Sequence, residues 1–297
     1  MDIIGKRRVY LAISAILVIL GLIVLGVVGL NLGVDFTGGS LVRLRFDRAV
    51  SAQEVRSALT TGDLAEMDLS KAVIQPIRGT SDVQIRAQVG GKPLSVEQVS
   101  KVVDVLSQRF GSISVVESQM VEAVIGKELL NKALVAIILS CVGIVAYISF
   151  RFEFKFGVAA VLALIHDTIV VLGIFAILGR QVNSPFIAAV LTIIGYSIND
   201  TIVIYDKIRE NLRLRKKDTV PEIANISILQ TMRRSIYTVL TTLLAVAALY
   251  LFGGVSIRDF SLAIIIGLVA GTYSSIFVAP SIWVEWTLRD RKRLKPV

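Results

Sequence analysis

Six long apolar runs constrain this chain more than any other feature of its sequence. They occupy residues 9–30, 133–150, 156–179, 181–205, 235–257 and 260–284. Each run falls within the range of about 17–25 residues that a transmembrane helix needs. The 297 residues are 54% hydrophobic and 19% charged, which leaves too little polar surface for a soluble protein. The sequence therefore predicts a polytopic α-helical membrane protein with six transmembrane helices.

The first run begins like a secretory signal peptide, because Lys6, Arg7 and Arg8 precede it. However, residues 9–30 are longer than the apolar core of a signal peptide, which has about 7–15 residues. No A-x-A-like cleavage site follows the run either. We therefore expect a retained transmembrane helix after a short N-terminal segment, residues 1–8.

Lysine and arginine are unevenly distributed between the segments that join the runs. Of the 32 basic residues, 18 lie in residues 1–8, 151–155, 206–234 and 285–297. The two short loops on the other side carry only Arg180 and Arg258. By the positive-inside rule, both termini, a basic loop at 206–234 and a basic tail at 285–297 are cytoplasmic. The net charge of +9 then reflects topology and contact with anionic lipids, not a nucleic-acid partner.

Residues 31–132 read as a small folded domain outside the cytoplasm. Strands are predicted at 40–47, 72–77, 82–89 and 112–120, and helices at 51–60 and 95–110. Ser51 and Glu54 have the spacing of a capping box. The two middle strands are joined through Arg78, Gly79, Thr80 and Ser81. The order β-α-β-β-α-β predicts an α+β ferredoxin-like domain.

Two acidic residues interrupt the apolar runs, and both are candidates for proton conduction. A charged side chain near the bilayer centre costs at least about 2.5–3.5 kcal/mol, so it usually faces protein or water. Asp167 lies near the middle of the third run beside His166, and Asp200 lies nearer the cytoplasmic end of the fourth. Arg234, at the start of the fifth run, is the expected cation for Asp200, with Lys207 as a competitor. The alternatives are that Asp167 only fixes helix packing and that Asp200 forms a static ion pair.

Other polar side chains in the runs are candidates to support these acids. They are Tyr196, Ser197 and Asn199 in the fourth run, Thr241 and Thr242 in the fifth, and Thr272 and Ser274 in the sixth. The alternative role for the hydroxyls is hydrogen bonding between helices, as is common in membrane bundles. Whether they hold water or bond helices is left open by their spacing.

The chain offers little for enzymatic or metal chemistry. Its single cysteine, Cys141, and single histidine, His166, exclude an intrachain disulfide and any site that needs two imidazoles. No Gly-rich phosphate loop or nucleophile–base pair is visible. We therefore expect no enzyme, no metal and no cofactor, with protons as the coupling ion for any work.

Five motifs resemble those of the SecF family of bacterial protein-export subunits, and together they span most of the chain. Gly33, Asp35, Phe36, Gly38 and Gly39 belong to the first, Gly33-Val34-Asp35-Phe36-Thr37-Gly38-Gly39, after the first run. The second is His166-Asp167-Thr168, and the third is Gly195-Tyr196-Ser197-Ile198-Asn199-Asp200-Thr201 with its continuation Asp206-Lys207-Ile208-Arg209-Glu210-Asn211. The last two are Arg233-Arg234-Ser235 followed by Thr241-Thr242, and Gly271-Thr272-Tyr273-Ser274-Ser275.

The resemblance implies a subunit of the Sec translocase in the bacterial inner membrane. It implies that the chain pairs with SecD as one half of a transporter of the resistance-nodulation-division (RND) type. It also implies that the pair uses proton flow to help draw unfolded preproteins from the SecYEG channel, with YajC or YidC as further contacts. Asp200 and Arg234 match the family residues implicated in proton conduction. Two rivals are a half-sized RND-type exporter of a lipid or drug, and a translocon scaffold that transports nothing.

Overall fold

The computed structural model describes residues 2–77 and 80–293 and divides into two compact units. One unit comprises the chain up to Asn31 and from Leu134 onward, and the other comprises Leu32–Ala133. Arg78 and Gly79 of the predicted connection lie outside the described residues, as do residues 294–297 of the predicted tail.

The chain is mostly helical, and four of the strands named below, β2 to β5, lie in the second unit. The helices are α1 (Arg7–Val27), α2 (Val34–Thr37), α3 (Ala52–Thr60), α4 (Val96–Phe110), α5 (Ala123–Arg151), α6 (Phe154–Ile177), α7 (Ser184–Leu214), α8 (Val220–Phe252), α9 (Val255–Tyr273) and α10 (Ala279–Arg293). The strands are β1 (Asn31–Leu32), β2 (Gly39–Phe46), β3 (Val73–Pro76), β4 (Asp82–Ala87), β5 (Ile113–Val121) and β6 (Gln181–Val182). A π-helical turn, Ser274–Val278, joins α9 to α10.

Six helical segments are long and apolar enough to cross a membrane, which confirms the six predicted spans. They are Ile4–Val27, Ile125–Arg151, Phe154–Ile177, Ser184–Leu214, Val220–Phe252 and Ile257–Asp290. Several extend beyond the uncharged runs, because a helix continues past the apolar core wherever its next turns still have a buried face. The exposed faces of α1 and α5 are largely leucine, isoleucine and valine, as lipid contact requires.

The segment 206–234 differs from the loop that its charge content predicts, because most of it is helical. Helix α7 continues to Leu214 and α8 begins at Val220, so only a short turn joins them. The buried residues Ile208, Ile223 and Ile228 give both extensions an apolar face. Counting charges cannot distinguish such an extended amphipathic helix from a loop.

The core of the membrane unit is aromatic at the end where α7 and α8 extend beyond their apolar runs. Phe156 stacks on Trp283 with ring centroids 4.6 Å apart and contacts Tyr205 at 4.5 Å. The start of the chain packs here too: the backbone N–H groups of Ile3 and Ile4 donate to Asn225 Oδ1 at 2.7 and 3.3 Å. The contacts place the N-terminal residues against the extended part of α8.

Helices α1 and α6 approach each other at a pair of glycines. A Cβ atom built on Gly173 would lie 3.1 Å from Gly21 Cα, and one on Gly21 would lie 2.8 Å from a methyl group of Ile169. Only glycine permits such a close approach of two helix backbones. The contact fixes where these two helices cross.

The second unit has the element order β-α-β-β-α-β that the sequence predicts. Its four strands pair antiparallel in the order β3-β4-β2-β5. Apolar side chains of α3 and α4 pack with those of the sheet into one core. The predicted capping box is present, because Ser51 N donates to Glu54 Oε2 at 2.8 Å and Glu54 N donates to Ser51 Oγ at 3.2 Å.

The sheet also carries charged side chains, and these are paired. Arg43 Nη2 lies 3.0 Å from Glu117 Oε2, and Arg45 Nε lies 2.8 Å from Asp82 Oδ1. The hydrogen bond to Asp82 raises the pKa of the Arg45 guanidinium. Burial lowers the pKa of Arg86, which donates to the Leu32 carbonyl at 2.7 Å. Each charge on this sheet therefore meets an opposite charge or a backbone acceptor.

Candidate functional site

The membrane unit carries a cluster of polar side chains on the buried face of α7. Buried residues recur along α7 at helical spacing, and Ile193, Ser197, Asp200, Ile204 and Ile208 follow one stripe. Ser197 and Asp200 therefore take positions that would otherwise hold core aliphatic residues. The fourth predicted span therefore directs these two polar side chains toward the protein interior.

Asp167, on α6, is the most completely hydrogen-bonded acid in this cluster. Its side chain is 1% exposed. Ser197 Oγ donates to Asp167 Oδ2 at 2.9 Å, and Ser274 Oγ donates to the same oxygen at 2.7 Å. The carboxylate thus joins α6, α7 and the π-helical turn. We call Asp167, His166, Ser197 and Ser274 the Asp167 cluster.

His166 contacts Asp167 directly, which the sequence did not predict. His166 Nδ1 lies 3.0 Å from Asp167 Oδ1, although neighbouring helix positions point in different directions. The side-chain tips of these two residues thus meet although their Cβ atoms point in different directions. Within the described residues, His166 Nε2 is buried without a hydrogen-bond partner.

The π-helical turn brings two consecutive serines to the same place. Ser275 Oγ lies 2.9 Å from Thr201 Oγ1 and donates to the Ser197 carbonyl at 3.1 Å. Gly271 lies one turn earlier, where a Cβ atom would come within 3.0 Å of Ser197 Cβ. A π turn inserts one residue into a helix and often marks a functional position. Sequence reasoning missed Thr201, Gly271 and the role of Ser275, although they lie within the quoted motifs.

Asp200 is surrounded differently from Asp167. It is 4% exposed, and the Ser235 hydroxyl of α8 lies against it without a hydrogen bond of ordinary geometry. Arg234 is near enough to attract the carboxylate, yet among the described residues it forms no ion pair within 4.0 Å. Lys207, the predicted competitor, pairs instead with Glu210 at 2.8 Å.

The predicted close ion pair between Asp200 and Arg234 is therefore absent from the described residues. One residue along a helix is a rotation of about 100°, so α8 turns Ser235 toward Asp200 and leaves Arg234 exposed. The sequence analysis did not identify Ser235 as a neighbour of Asp200. The one sequence feature that could have indicated it is its position next to Arg234. The arrangement leaves Asp200 with few fixed partners.

The remaining predicted hydroxyls mostly bond backbone groups. Tyr196 OH donates to the Thr238 carbonyl at 2.9 Å and contacts the Thr242 hydroxyl. Thr241 and Thr272 donate to carbonyls of their own helices, and Asn199 is exposed. The structure thus joins Ser197 and Ser274 to an acid by hydrogen bonds, whereas Thr241 and Thr272 bond within their own helices.

The motif that follows the first span folds separately, within the second unit. Gly33 precedes the single turn α2, which contains Asp35 and the buried Phe36. Gly38 and Gly39 have φ angles of 72° and 106°, and a Cβ atom on Gly39 would lie 2.8 Å from Gln88 Cγ. Gln88 Nε2 donates to the Gly38 carbonyl at 3.0 Å. The two glycines are required by this backbone turn, which leads directly into β2.

A narrow space adjoins Asp200 between α7, α8 and α9. Tyr196, Ser197, Asp200, Val239 and Gly271 are among its lining residues. Its volume is about 180 Å³, but it is too narrow to admit a water molecule. In this conformation the space beside Asp200 is closed.

Comparison with known proteins finds one family over most of the chain. Residues 101–289 match the model of the C-terminal region of the protein export membrane proteins SecD and SecF, and residues 23–50 match the SecD/SecF GG motif. A relative named protein translocase subunit SecF, from Desulfurispirillum indicum, is 42% identical over 96% of this chain and 91% of its own length.

Proteins called SecDF are also similar to this chain. The protein translocase subunit SecDF of Bacillus subtilis is 37% identical over 98% of this chain, which spans 39% of that protein. A crystal structure of SecDF from Thermus thermophilus, described as a translocon-associated membrane protein, matches 97% of this chain with a TM-score of 0.88 and 37% identity. The chain again spans 39% of that protein.

Proposed function

Since the chain belongs to the SecD/SecF family of protein export membrane proteins, we propose that it promotes protein export by coupling it to proton flow. It is a multi-pass membrane protein and a SecF-type accessory subunit of the Sec translocase. None of the relatives' names given above identifies the coupling ion, which we propose is the proton. One observation supports it: Asp167 and Asp200 lie buried in adjacent spans that otherwise are almost entirely apolar.

The partner that the comparisons favour is SecD. In the Bacillus subtilis relative, a single SecDF chain contains a region similar to the whole of this protein and a further region of greater length. A separate SecD chain would supply that further region here. SecYEG, an unfolded preprotein, anionic lipids and YajC or YidC are the other partners that we propose. The basic residues near the bundle end that holds both termini support a cytoplasmic location for that end.

The mechanism that we propose centres on Asp200. A proton from outside the cytoplasm binds its carboxylate and weakens the attraction for Arg234. Helices α7 and α8 then shift, and release of the proton to the cytosol restores the attraction. A charge that crosses 100 mV gains about 2.3 kcal/mol, so a few protons per cycle supply enough free energy for a movement of the second unit.

Export of a secreted reporter in cells depleted of the native protein tests this proposal. Rescue is compared between the wild type, Asp200→Asn and Arg234→Met at equal membrane levels, with co-purification of SecD as the measure of assembly. The matched control is Asp218→Asn, since Asp218 is a surface acid paired with Arg215 at 3.1 Å.

We expect both Asp200→Asn and Arg234→Met to assemble with SecD but fail to export, whereas Asp218→Asn exports normally. Full rescue by Asp200→Asn would contradict proton coupling through this residue. It would leave the family membership intact and favour the scaffold role.

A further inference from the structure

A second space lies beyond Asp200, between α5, α7 and α8, and it differs from the narrow one. Val203, Asp206 and Lys207 of α7, Thr231 and Arg234 of α8, and Arg151 of α5 are among its lining residues. It is wide enough to hold water molecules and has a volume of about 400 Å³. Both charged and apolar residues line it, as expected of a surface in contact with water.

The two spaces lie on opposite sides of Asp200 along the helices. The narrow space is lined by Ile193, Tyr196 and Ser197, which precede Asp200 in α7. The wide one is lined by Ile202 and Val203, which follow Asp200 by less than one turn. Asp200 therefore lies between a closed space and an open one, and Arg234 borders the open one.

We infer that the wide space is a hydrated vestibule through which Asp200 exchanges protons with the cytosol, and that Asp206 is the carboxylate that relays them. The inference rests on the proposed function, and on the orientation proposed with it. A proton released by Asp200 passes through water in the vestibule to the Asp206 carboxylate, and from there to bulk water. No bond other than those to the proton forms or breaks.

The charges around Asp206 suit this role. Lys207 and Glu210 neutralise each other in their ion pair at 2.8 Å. The cations that remain on the walls are Arg151 and Arg234, from the two neighbouring helices. Asp206 is exposed and, within the described residues, forms no ion pair within 4.0 Å. Asp206 follows Asp200 by six residues in α7, a rise of about 9 Å along the helix.

Thiol labelling tests the vestibule. The single cysteine simplifies the design, because Cys141→Ser gives a background without thiols. Val203→Cys and Thr231→Cys place a thiol in the wide space, Val239→Cys places one in the narrow space, and Leu244→Cys places one on the exposed apolar face of α8. A charged, membrane-impermeant thiol reagent is applied to the complex with SecD in inside-out membrane vesicles.

We expect Val203→Cys and Thr231→Cys to react at least about tenfold faster than Val239→Cys or Leu244→Cys, since thiolate formation needs water. Equal, slow reaction at all four positions would overturn the vestibule. Fast reaction only in right-side-out vesicles would place the opening on the other side of the membrane, and would overturn exchange with the cytosol.

Export driven by a proton gradient in the same inside-out vesicles tests the relay, measured at several values of the cytosol-side pH. Asp206→Asn is expected to lower the rate about tenfold, less than the ~100-fold typical of a positioned acid–base group, because water remains an alternative path. Asp206→Glu should restore most of the rate and shift its pH dependence, a response that a purely structural residue would not give. Asp218→Asn serves as the matched surface control.

Two results distinguish the ways in which the idea fails. If Asp206→Asn matches the wild type while Asp200→Asn is inactive, the relay is overturned and the proposed function stands. If Asp200→Asn is also fully active, proton coupling fails and the relay fails with it, whatever the labelling pattern.

Discussion

Asp167 and Asp200 are both buried acids in neighbouring spans, yet their surroundings differ in one respect. Asp167 accepts hydrogen bonds from two serines and contacts His166. Among the described residues, Asp200 has the Ser235 hydroxyl against it and Arg234 at longer range. Contacts with three side chains hold the Asp167 carboxylate in place between helices, whereas the Asp200 carboxylate has few fixed partners and adjoins a space between helices. The difference predicts that Asp167 organises the helices and that Asp200 exchanges protons.

The largest expected effect is on activity at Asp200. Asp200→Asn keeps the shape of the side chain but cannot release a proton, so proton-driven export should fall at least about 100-fold. The thermal unfolding midpoint of the purified complex should change little, because few hydrogen bonds are lost. A large loss of thermal stability with export intact would reverse the roles assigned to the two acids.

The opposite pattern is expected at Asp167. Asp167→Ala removes the acceptor of the buried Ser197 hydroxyl, whereas the Ser274 hydroxyl keeps the Gly271 carbonyl at 3.2 Å as an acceptor. A buried polar group without a partner costs about 1–3 kcal/mol. Contacts between helices in membranes are often weaker, so we expect a total of about 2 kcal/mol, which includes the loss of the bond from Ser274. Urea or thermal unfolding of the complex measures this loss. Asp167→Asn, which keeps an acceptor oxygen, should lose less, and equal losses would contradict the hydrogen-bond account.

Gly271→Ala probes the same cluster by crowding it. The added methyl group would lie 3.0 Å from Ser197 Cβ and 3.6 Å from Asp167 Oδ2. Such overpacking typically costs about 1–3 kcal/mol. Gly195→Ala is the matched control, since no atom lies within 4 Å of its added Cβ and alanine favours the helix. If both variants unfold at the same temperature, the packing around Ser197 is looser than described.

Ser235→Ala should have a smaller effect, and on activity rather than stability. The Ser235 hydroxyl contacts Asp200 without a hydrogen bond of ordinary geometry, so the contact is worth no more than an average interhelical hydrogen bond in a membrane protein, about 0.6 kcal/mol, or roughly a threefold change in rate. We expect proton-driven export to become slower by up to about threefold at unchanged membrane levels. The neighbouring Ile236→Ala, on the exposed face of α8, is the control. Identical export by Ser235→Ala and the wild type would remove Ser235 from the site.

The smallest effect concerns the second unit. The hydrogen bonds from Ser51 hold the pKa of Glu54 below its ordinary value. Glu54 therefore stabilises α3 fully above its unfolded-state pKa, and the contribution is lost as the pH falls through the lower folded-state value. Amide hydrogen exchange in α3 should accelerate under acid conditions in the wild type and show less pH dependence in Glu54→Gln. Equal pH dependence in both would show that the capping box does not contribute.

The features that the sequence predicted are those encoded over a few neighbouring residues. The six spans follow from runs of apolar residues, and the capping box follows from Ser51 and Glu54 three residues apart. The hydrogen bond between Ser274 and Asp167 joins residues 107 positions apart, so no local pattern predicts it. The same holds for the π turn, which is apparent only when Ser274 and Ser275 are seen against α6 and α7.

The direction in which a side chain points around its helix was the second feature that the sequence could not predict. The sequence identified Arg234 as the partner of Asp200 because opposite charges attract, but the rotation of α8 turns Ser235 inward instead. The charged segment 206–234 was read as a loop because Lys207, Arg209 and Arg213 dominate its composition, whereas buried Ile208 and Asn211 show that it continues α7. In both places packing against neighbouring helices decides the outcome.

The contact between Gly21 and Gly173 has a mechanical consequence. At most helix crossings, side chains change rotamer and absorb small displacements before they reach the neighbouring backbone. Here the two backbones touch, so a sliding of α6 by one side-chain diameter cannot be taken up at this point. Gly173 lies about 9 Å along α6 from Asp167. Movement of the acid-bearing helix is thus transmitted stiffly to α1, whose last residues continue into the chain of the second unit.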